Sequence, residues 1–297
     1  MSERPRVVAL GGGHGLAAAL RAARRYAGDV TAVVSVADDG GSSGRLRRDL
    51  DVLPPGDLRK CLVALAADDR VWPAAFEHRF ATGDLEGHPL GNLVLAGLGE
   101  TLGDPVAAID AAARLLGVQG TVRPATTERV VLKADVEGAS VEGQVAVMTV
   151  AGRIRRVELV PSDAPAHPDT VAAIAAADQV VLAPGSLYTS LLPVLCVGGV
   201  RDAVTETAAQ VVQVCNLRTQ PPETTGLDGA DHLRAVLDHG ARVDVLLAEA
   251  GGALPVDRAR VESWGVRTAS GNLARPSGLA HDPAKLAPAL ADLLEST

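Results

Sequence analysis

Short apolar runs alternate with segments of helical period along most of this chain, and nearly every run empties into glycine or a polar cluster. Residues 6–10 read as a first buried strand that stops at Gly11-Gly12-Gly13-His14-Gly15. The Ala/Leu/Arg pattern over 16–26 is helical, with Leu16 and Leu20 on one face. A second strand over 30–36 runs into Ala37-Asp38-Asp39 and then Gly40-Gly41-Ser42-Ser43-Gly44, ahead of the basic stretch at Arg45. Glycine tolerates positive φ and close approach of a ligand, and successive bare N–H groups can cup an anion. The pattern therefore predicts an anion-binding loop over 40–44 at one edge of a sheet.

Further along, Leu53-Pro54-Pro55-Gly56 closes a loop, and Asp57 is placed either to cap the next helix or to meet a ligand. Arg59 and Lys60 would lie in that helix's first turn, where cations oppose the dipole, which hints at a compensating anion. Trp72, Phe76 and Phe80 recur every four residues and predict a packed helix face. Pro89 suits the first position of a long apolar helix that shows His88 and Asn92 on one side. Over about 120–161 the character changes: 130–135, 141–151 and 153–160 are alternating or β-branched and separated by glycines, as in a small antiparallel insertion. A helix over 168–177 then leads to a strand over 179–183 and the hydroxyl-rich loop Pro184-Gly185-Ser186-Leu187-Tyr188-Thr189-Ser190. A strand over 210–215 ends at Asn216, Asp231-His232 opens a helix towards His239, a strand follows over 243–248, and 284–294 form an amphipathic terminal helix.

This succession predicts an α/β fold: one three-layer, Rossmann-like domain over 1–297 with a mostly parallel sheet and a small antiparallel β insertion. The loops that begin at Gly11, Asp38, Pro184 and Asn216 would then share one edge, where open α/β sheets hold ligands. Composition agrees: 47% of residues are hydrophobic but only 2% aromatic, so the core is aliphatic, as a sheet covered on both faces requires. A net charge of −8 excludes a non-specific nucleic-acid binder. Cys61, Cys196 and Cys215 sit far apart in apolar surroundings and read as small buried hydrophobes rather than a disulfide framework or zinc site. No apolar run reaches membrane-spanning length, and the run behind Met1-Ser2-Glu3 is too short for a signal sequence, so a cytoplasmic protein is expected.

The spacing Gly13-x-Gly15-x-x-Ala18 between a strand and a helix fits phosphate binding, with Asp38 where a ribose-binding acid would stand. Gly40-Gly41-Ser42-Ser43-Gly44 also satisfies G-x-S-x-G. A nucleophile elbow needs the strand to feed the first glycine directly, and Ala37-Asp38-Asp39 intervene.

Taken together, Gly11 to Leu16, Ala37 to Arg47, Leu53 to Arg59, His88 to Leu93, Pro184 to Ser190, Asn216 to Thr224 and Ala230 to His232 resemble the gluconeogenesis factor family, in order and over nearly the whole chain. That family is similar in fold to 2-phospho-L-lactate transferase. The resemblance implies a cytoplasmic bacterial homodimer that binds UDP-sugars such as UDP-N-acetylglucosamine and serves cell shape, wall synthesis and gluconeogenic growth, without an established reaction. His14 departs from the Thr usual at its position, and Ala280 from a frequent Arg. On this reading the amides of Gly12, Gly13, Gly15 and Gly41 to Gly44 cradle a diphosphate, with Arg45 and Arg59 adding charge-assisted bonds. Asp38 or Asp39 takes a ribose hydroxyl or Mg²⁺, with Asp57 the other candidate metal ligand, while Asn92, Ser186, Tyr188 and Asn216, flanked by Gly185 and Thr189, orient base and sugar. Two alternatives stay open. One is a phospholactyl transferase that uses Mg²⁺ on Asp38 or Asp57. The other is an NAD(P)-dependent dehydrogenase, with Ser42, Ser43 and Arg45 at a 2′-phosphate.

Overall fold

The computed structural model describes residues 4–67 and 71–295; the terminal Met1-Ser2-Glu3 lies outside them. Among these residues, ten strands form two sheets. Seven are parallel, in the order β10-β9-β8-β7-β1-β2-β3: β1 (Arg6–Gly11), β2 (Asp29–Val34), β3 (Thr121–Pro124), β7 (Gln179–Leu182), β8 (Gln210–Val214), β9 (Val245–Glu249) and β10 (Arg267–Gly271). The other three, β4 (Val131–Val136), β5 (Ala139–Glu142) and β6 (Ile154–Val160), pair antiparallel in the order β5-β4-β6.

Residues of one strand alternate between two aliphatic cores, as the period of two demands. Val7 and Ala9 join Leu16, Leu20, Leu62 and Leu290 on one face, while Val8 and Leu10 join Ile174, Leu192, Val204 and Leu233 on the other. Each fully buried leucine contributes roughly 2 kcal/mol. The first face is covered by α1 (Gly13–Ala23), α3 (Pro55–Leu65) and the terminal helix Pro283–Glu295, and α6 (Pro105–Leu116) packs beside α3. Between them lie α2 (Gly41–Leu50), α4 (Val71–Glu77) and α5 (Leu90–Leu102).

From β1 the chain steps outward to β2 and β3, then returns to the other side of β1 and continues through β7, β8, β9 and β10. The direction of winding reverses between β1 and β7. Such a seam splits the loops above it and opens a crevice at the carboxyl ends of the strands. The four loops singled out in the sequence follow β2, β1, β7 and β8, which are neighbours in the sheet.

Several expectations are corrected. Residues Thr121–Pro124 do not begin the insertion; they form the parallel edge strand β3, paired with β2. The stretch 141–151 is not a strand, because its centre folds as the helix Gln144–Thr149. Of the three aromatics in the expected stripe, only Phe76 is buried; Trp72 is exposed, and Phe80 lies beyond the end of α4. Pro89 is the N-cap of α5 rather than its first residue. The helix expected to open at Asp231-His232 begins at Gly229, where Asp228 and Asp231 form a reciprocal capping box. Cys61 and Cys215 are buried as expected, whereas Cys196 is only partly covered. No single described helix is long and apolar enough to cross a membrane.

Candidate functional site

At the seam, Gly12 is the N-cap of α1, and Gly13 begins the helix with φ +63°, a conformation that glycine adopts without strain. Gly15 packs so tightly on the β7 loop that a Cβ there would overlap the Pro184 carbonyl oxygen. The next loop is stitched to it: Asn216 accepts from the Gly185 amide (2.8 Å) and donates to the Gly185 carbonyl (2.7 Å). Asn216, expected to orient a ligand, thus holds the strand-end loops in register.

After Gly185 the chain does not stay a polar loop. Residues Leu187–Leu191 form a turn of π-helix, and the Tyr188 ring is buried in the apolar core. The buried Glu223 carboxylate accepts from the Tyr188 and Thr189 amides (2.6 and 3.2 Å). Burial raises the Glu223 carboxyl above its ordinary value, against the pull of those hydrogen bonds.

On the β2 side, residues 41–44 are the opening of α2, not a loop. Ser43 Oγ accepts from the Gly56 amide (3.1 Å), joining the first turns of α2 and α3. Asp57 is the third residue of α3, whose N-cap is Pro54, and its carboxylate lies against Gly12 at the start of α1. Three helix N-termini therefore meet here. Their N-caps, Gly12, Gly40 and Pro54, supply no side-chain hydrogen bond, whereas Asp104, Asp228 and Asp257 do so for helices elsewhere. First-turn N–H groups have no partner inside their own helix, so α1 and α2 bring donors to this place, whereas α3 begins with Pro55, which has no N–H, and its Gly56 amide is taken by Ser43.

Behind these turns runs a line of buried polar side chains. His88 Nδ1 bonds Ser42 Oγ (2.8 Å), Asn92 Nδ2 donates to the same Oγ (3.0 Å), Arg59 Nε donates to Asn92 Oδ1 (3.0 Å), and Arg59 pairs with Glu77. The anion expected to compensate Arg59 is thus a protein carboxylate, and Lys60 is likewise paired with Asp57 (3.0 Å). Arg45 donates to the Glu86 carbonyl (2.7 Å). Asp39 serves the insertion: its carboxylate accepts from the Gln144 and Val145 amides (2.9 Å each) and caps the helix Gln144–Thr149.

On the other flank of α1, a cleft of about 460 Å³ is lined by His14, Gly185, Asn216, Arg218, Gln220 and His281, with Leu279 at its rim. A family model described as 2-phospho-L-lactate transferase CofD matches residues 7–273. A putative gluconeogenesis factor of Mycobacterium tuberculosis H37Rv is 47% identical across 96% of this chain and 89% of its own length. The gluconeogenesis factor of Bacillus subtilis 168 is 43% identical across 80% of this chain and 76% of its own. A crystal structure of a UPF0052 family protein from Bacillus halodurans matches at a TM-score of 0.93 and 37% identity, covering 98% of this chain and 99% of that one. The chain belongs to the gluconeogenesis factor family.

In this family member, Asp38 is the acid that remains facing the convergent helix starts. Its Oδ1 accepts from Gly40 N (3.0 Å), yet burial, with a smaller push from Asp57, raises its carboxyl above the usual value. An acid whose folded value is raised has no effect below its unfolded value, destabilises the fold increasingly as pH climbs from the unfolded value to the folded one, and does so in full above it. Asp38→Asn is therefore expected to melt higher than the parent at neutral pH and level with it in acid below the ordinary carboxylate range. Thermal melts at the two pH values check this, and equal melting at both would refute it.

His14 is shifted the other way, lowered by burial and by Lys60. No group of three or more His, Cys, Asp or Glu side chains able to hold a metal occurs among the described residues. Two carboxylates nonetheless suit Mg²⁺, which keeps much of its water and completes its shell with phosphate oxygens. With Lys60 on Asp57, Asp38 is the carboxylate that would be left to hold such an ion. Lys60 was noted in the sequence only as a first-turn cation, and Arg218, Glu223 and His281 were not picked out as site residues, although Arg218 and Glu223 lie in the Asn216 to Thr224 segment that carried the resemblance.

Proposed function

We propose that the protein binds a nucleotide sugar of the UDP class at the seam between β1 and β7 and acts as a regulator of wall synthesis and carbon metabolism. The observation that carries this reading is the meeting of three helix N-termini, two of them uncapped, beside Lys60, next to a cleft of about 460 Å³. Amide donors at helix starts suit a diphosphate, and a cleft of this size accommodates a nucleoside. The diphosphate would lie over the first turns of α1, α2 and α3 with Lys60 as its counter-charge, and Asp38 would hold Mg²⁺ or a sugar hydroxyl. Bound Mg²⁺ would neutralise phosphate charge. The relatives named gluconeogenesis factors support the metabolic role.

Isothermal titration with UDP-N-acetylglucosamine and Mg²⁺ is expected to show saturable binding. Lys60→Met should weaken it about tenfold, the worth of one charge-assisted bond. Absence of heat with any UDP-sugar would sink the reading.

A second reading, transfer of a phospholactyl group to a deazaflavin precursor, is favoured by the family model's description and by Asp38 at the phosphate-binding end. Mass spectrometry after incubation with both substrates would reveal the adduct; an unchanged acceptor would exclude that activity.

A further inference from the structure

A second pocket, of about 370 Å³, lies among α2, α3, α5 and α6 and shares no lining residue with the cleft beside α1. Its walls are aliphatic, built from Leu53, Leu58, Leu95, Ala108 and Ile109, and its volume falls in the range of small-molecule sites. It also backs onto the helix starts. Pro55 and Leu58 line it, while Gly56 and Asp57, between them in the first turn of α3, meet Ser43 and Gly12.

The polar groups around this pocket are unevenly matched. Helices α3 and α6 begin here, but Pro55 and Pro105 have no N–H. The next amides are already used: Gly56 N donates to Ser43 Oγ (3.1 Å) and Val106 N to Asp104 Oδ1 (2.8 Å). Helices α2 and α5 end here, through Leu50 and Asp51 and through Glu100 and Gly103, and the last carbonyls of a helix lack donors within it. Arg129 is paired with Asp51, whereas the exposed Glu100 side chain has no ion-pair or hydrogen-bond partner among the described residues. The pocket thus offers acceptors and one uncompensated negative charge around an apolar interior.

We propose that this pocket is a second ligand site, for a small molecule that joins an apolar body to a protonated amine. The body replaces water against Leu58, Leu95 and Ile109, and the ammonium donates to the Glu100 carboxylate and the terminal carbonyls of α5. A neutral head forgoes the ionic pairing, and an anionic one meets Glu100 as a like charge. The pocket holds such a molecule whether or not the helix starts hold a nucleotide. Its ligand bears on the first turn of α3, the turn that carries Gly56 and Asp57.

The test is calorimetric titration of the full chain at neutral pH with 4-phenylbutylamine, 4-phenylbutanol and 4-phenylbutanoate, which share a phenylalkyl body and differ in the head group. The amine is expected to bind saturably and about tenfold more tightly than the alcohol, with the carboxylate weaker still. Bound amine should slow amide hydrogen exchange over residues 50–58 and 95–109, the segments that wall the pocket. Glu100→Gln should bring the amine to within about threefold of the alcohol. Gly99→Leu should abolish binding by filling the pocket. A Cβ at Gly99 meets only Val52, at an ordinary 3.7 Å, and a helix prefers leucine to glycine, so this variant folds. If the amine does not bind, if the alcohol or carboxylate binds as tightly, or if binding survives Gly99→Leu, the site is overturned. Protection confined to other segments would overturn it on unaltered protein.

Discussion

Gly15→Ala is expected to abolish UDP-sugar binding and to lower the melting temperature. The added Cβ would occupy the space of the Pro184 carbonyl oxygen, and Pro184 lies in the loop above β7, on the far side of the seam from β2. Backbone cannot swing aside as the end of a flexible side chain can. Either α1 lifts or the β7 loop moves, and both displace the amides at the start of α1 relative to Gly185 and Asn216. Overpacking of this kind destabilises by about 1–3 kcal/mol, and for a chain of this size that corresponds to roughly 2–10 °C. Differential scanning calorimetry and titration with UDP-N-acetylglucosamine check the two halves. A variant that melts and binds like the parent would show that the contact at the seam is not needed for the site.

The second large effect is expected at Asn92. It is 2% exposed and joins Ser42 on α2 to Arg59 on α3, which is itself 4% exposed. Asn92→Leu removes a donor and an acceptor at once. Arg59 Nε then points into apolar surroundings, and Ser42 keeps only His88. Leaving a buried charged donor and a buried hydroxyl short of partners destabilises by about 2–4 kcal/mol in total. Urea unfolding should show the lower midpoint, with the far-UV spectrum of the folded state unchanged. Because Asn92 stands behind the helix starts, its loss should loosen the diphosphate cradle only indirectly. A large fall in affinity at unchanged stability would instead make Asn92 a ligand contact.

The parallel strands were legible in the sequence because buried strands are nearly continuous aliphatic runs, and the polar clusters after them marked the carboxyl edge. What escaped was set by contacts distant along the chain. Residues 41–44 are poor helix formers, yet Ser42 and Ser43 are held as a helix start by Asn92 and the Gly56 amide. The β-branched Gln144–Thr149 segment reads as strand locally but is wound into a helix under the Asp39 carboxylate, 105 residues earlier. Tyr188 looked like a loop residue because Glu223, which organises its turn, lies 35 residues away. β10 is short, half polar and at the edge, so it carries no hydrophobic period to detect. Of the candidate binding groups, the glycines and Asp38 lie at the convergent helix starts, whereas Asp39, Asn92, Tyr188 and Asn216 are engaged in holding the fold together.

The seam also dictates an order of assembly. One flank of β1 pairs with β2, which lies within the first 34 residues, but its other flank waits for β7, which begins at residue 179. As the chain leaves the ribosome, the β1-β2-β3 half can settle with its helices while the outer edge of β1 stays open. An aliphatic strand with unpaired N–H and C=O groups is a template for wrong partners, and long-range parallel pairing forms slowly. The strand at the seam is thus, until β7 has been made, an open and aggregation-prone edge of the nascent protein.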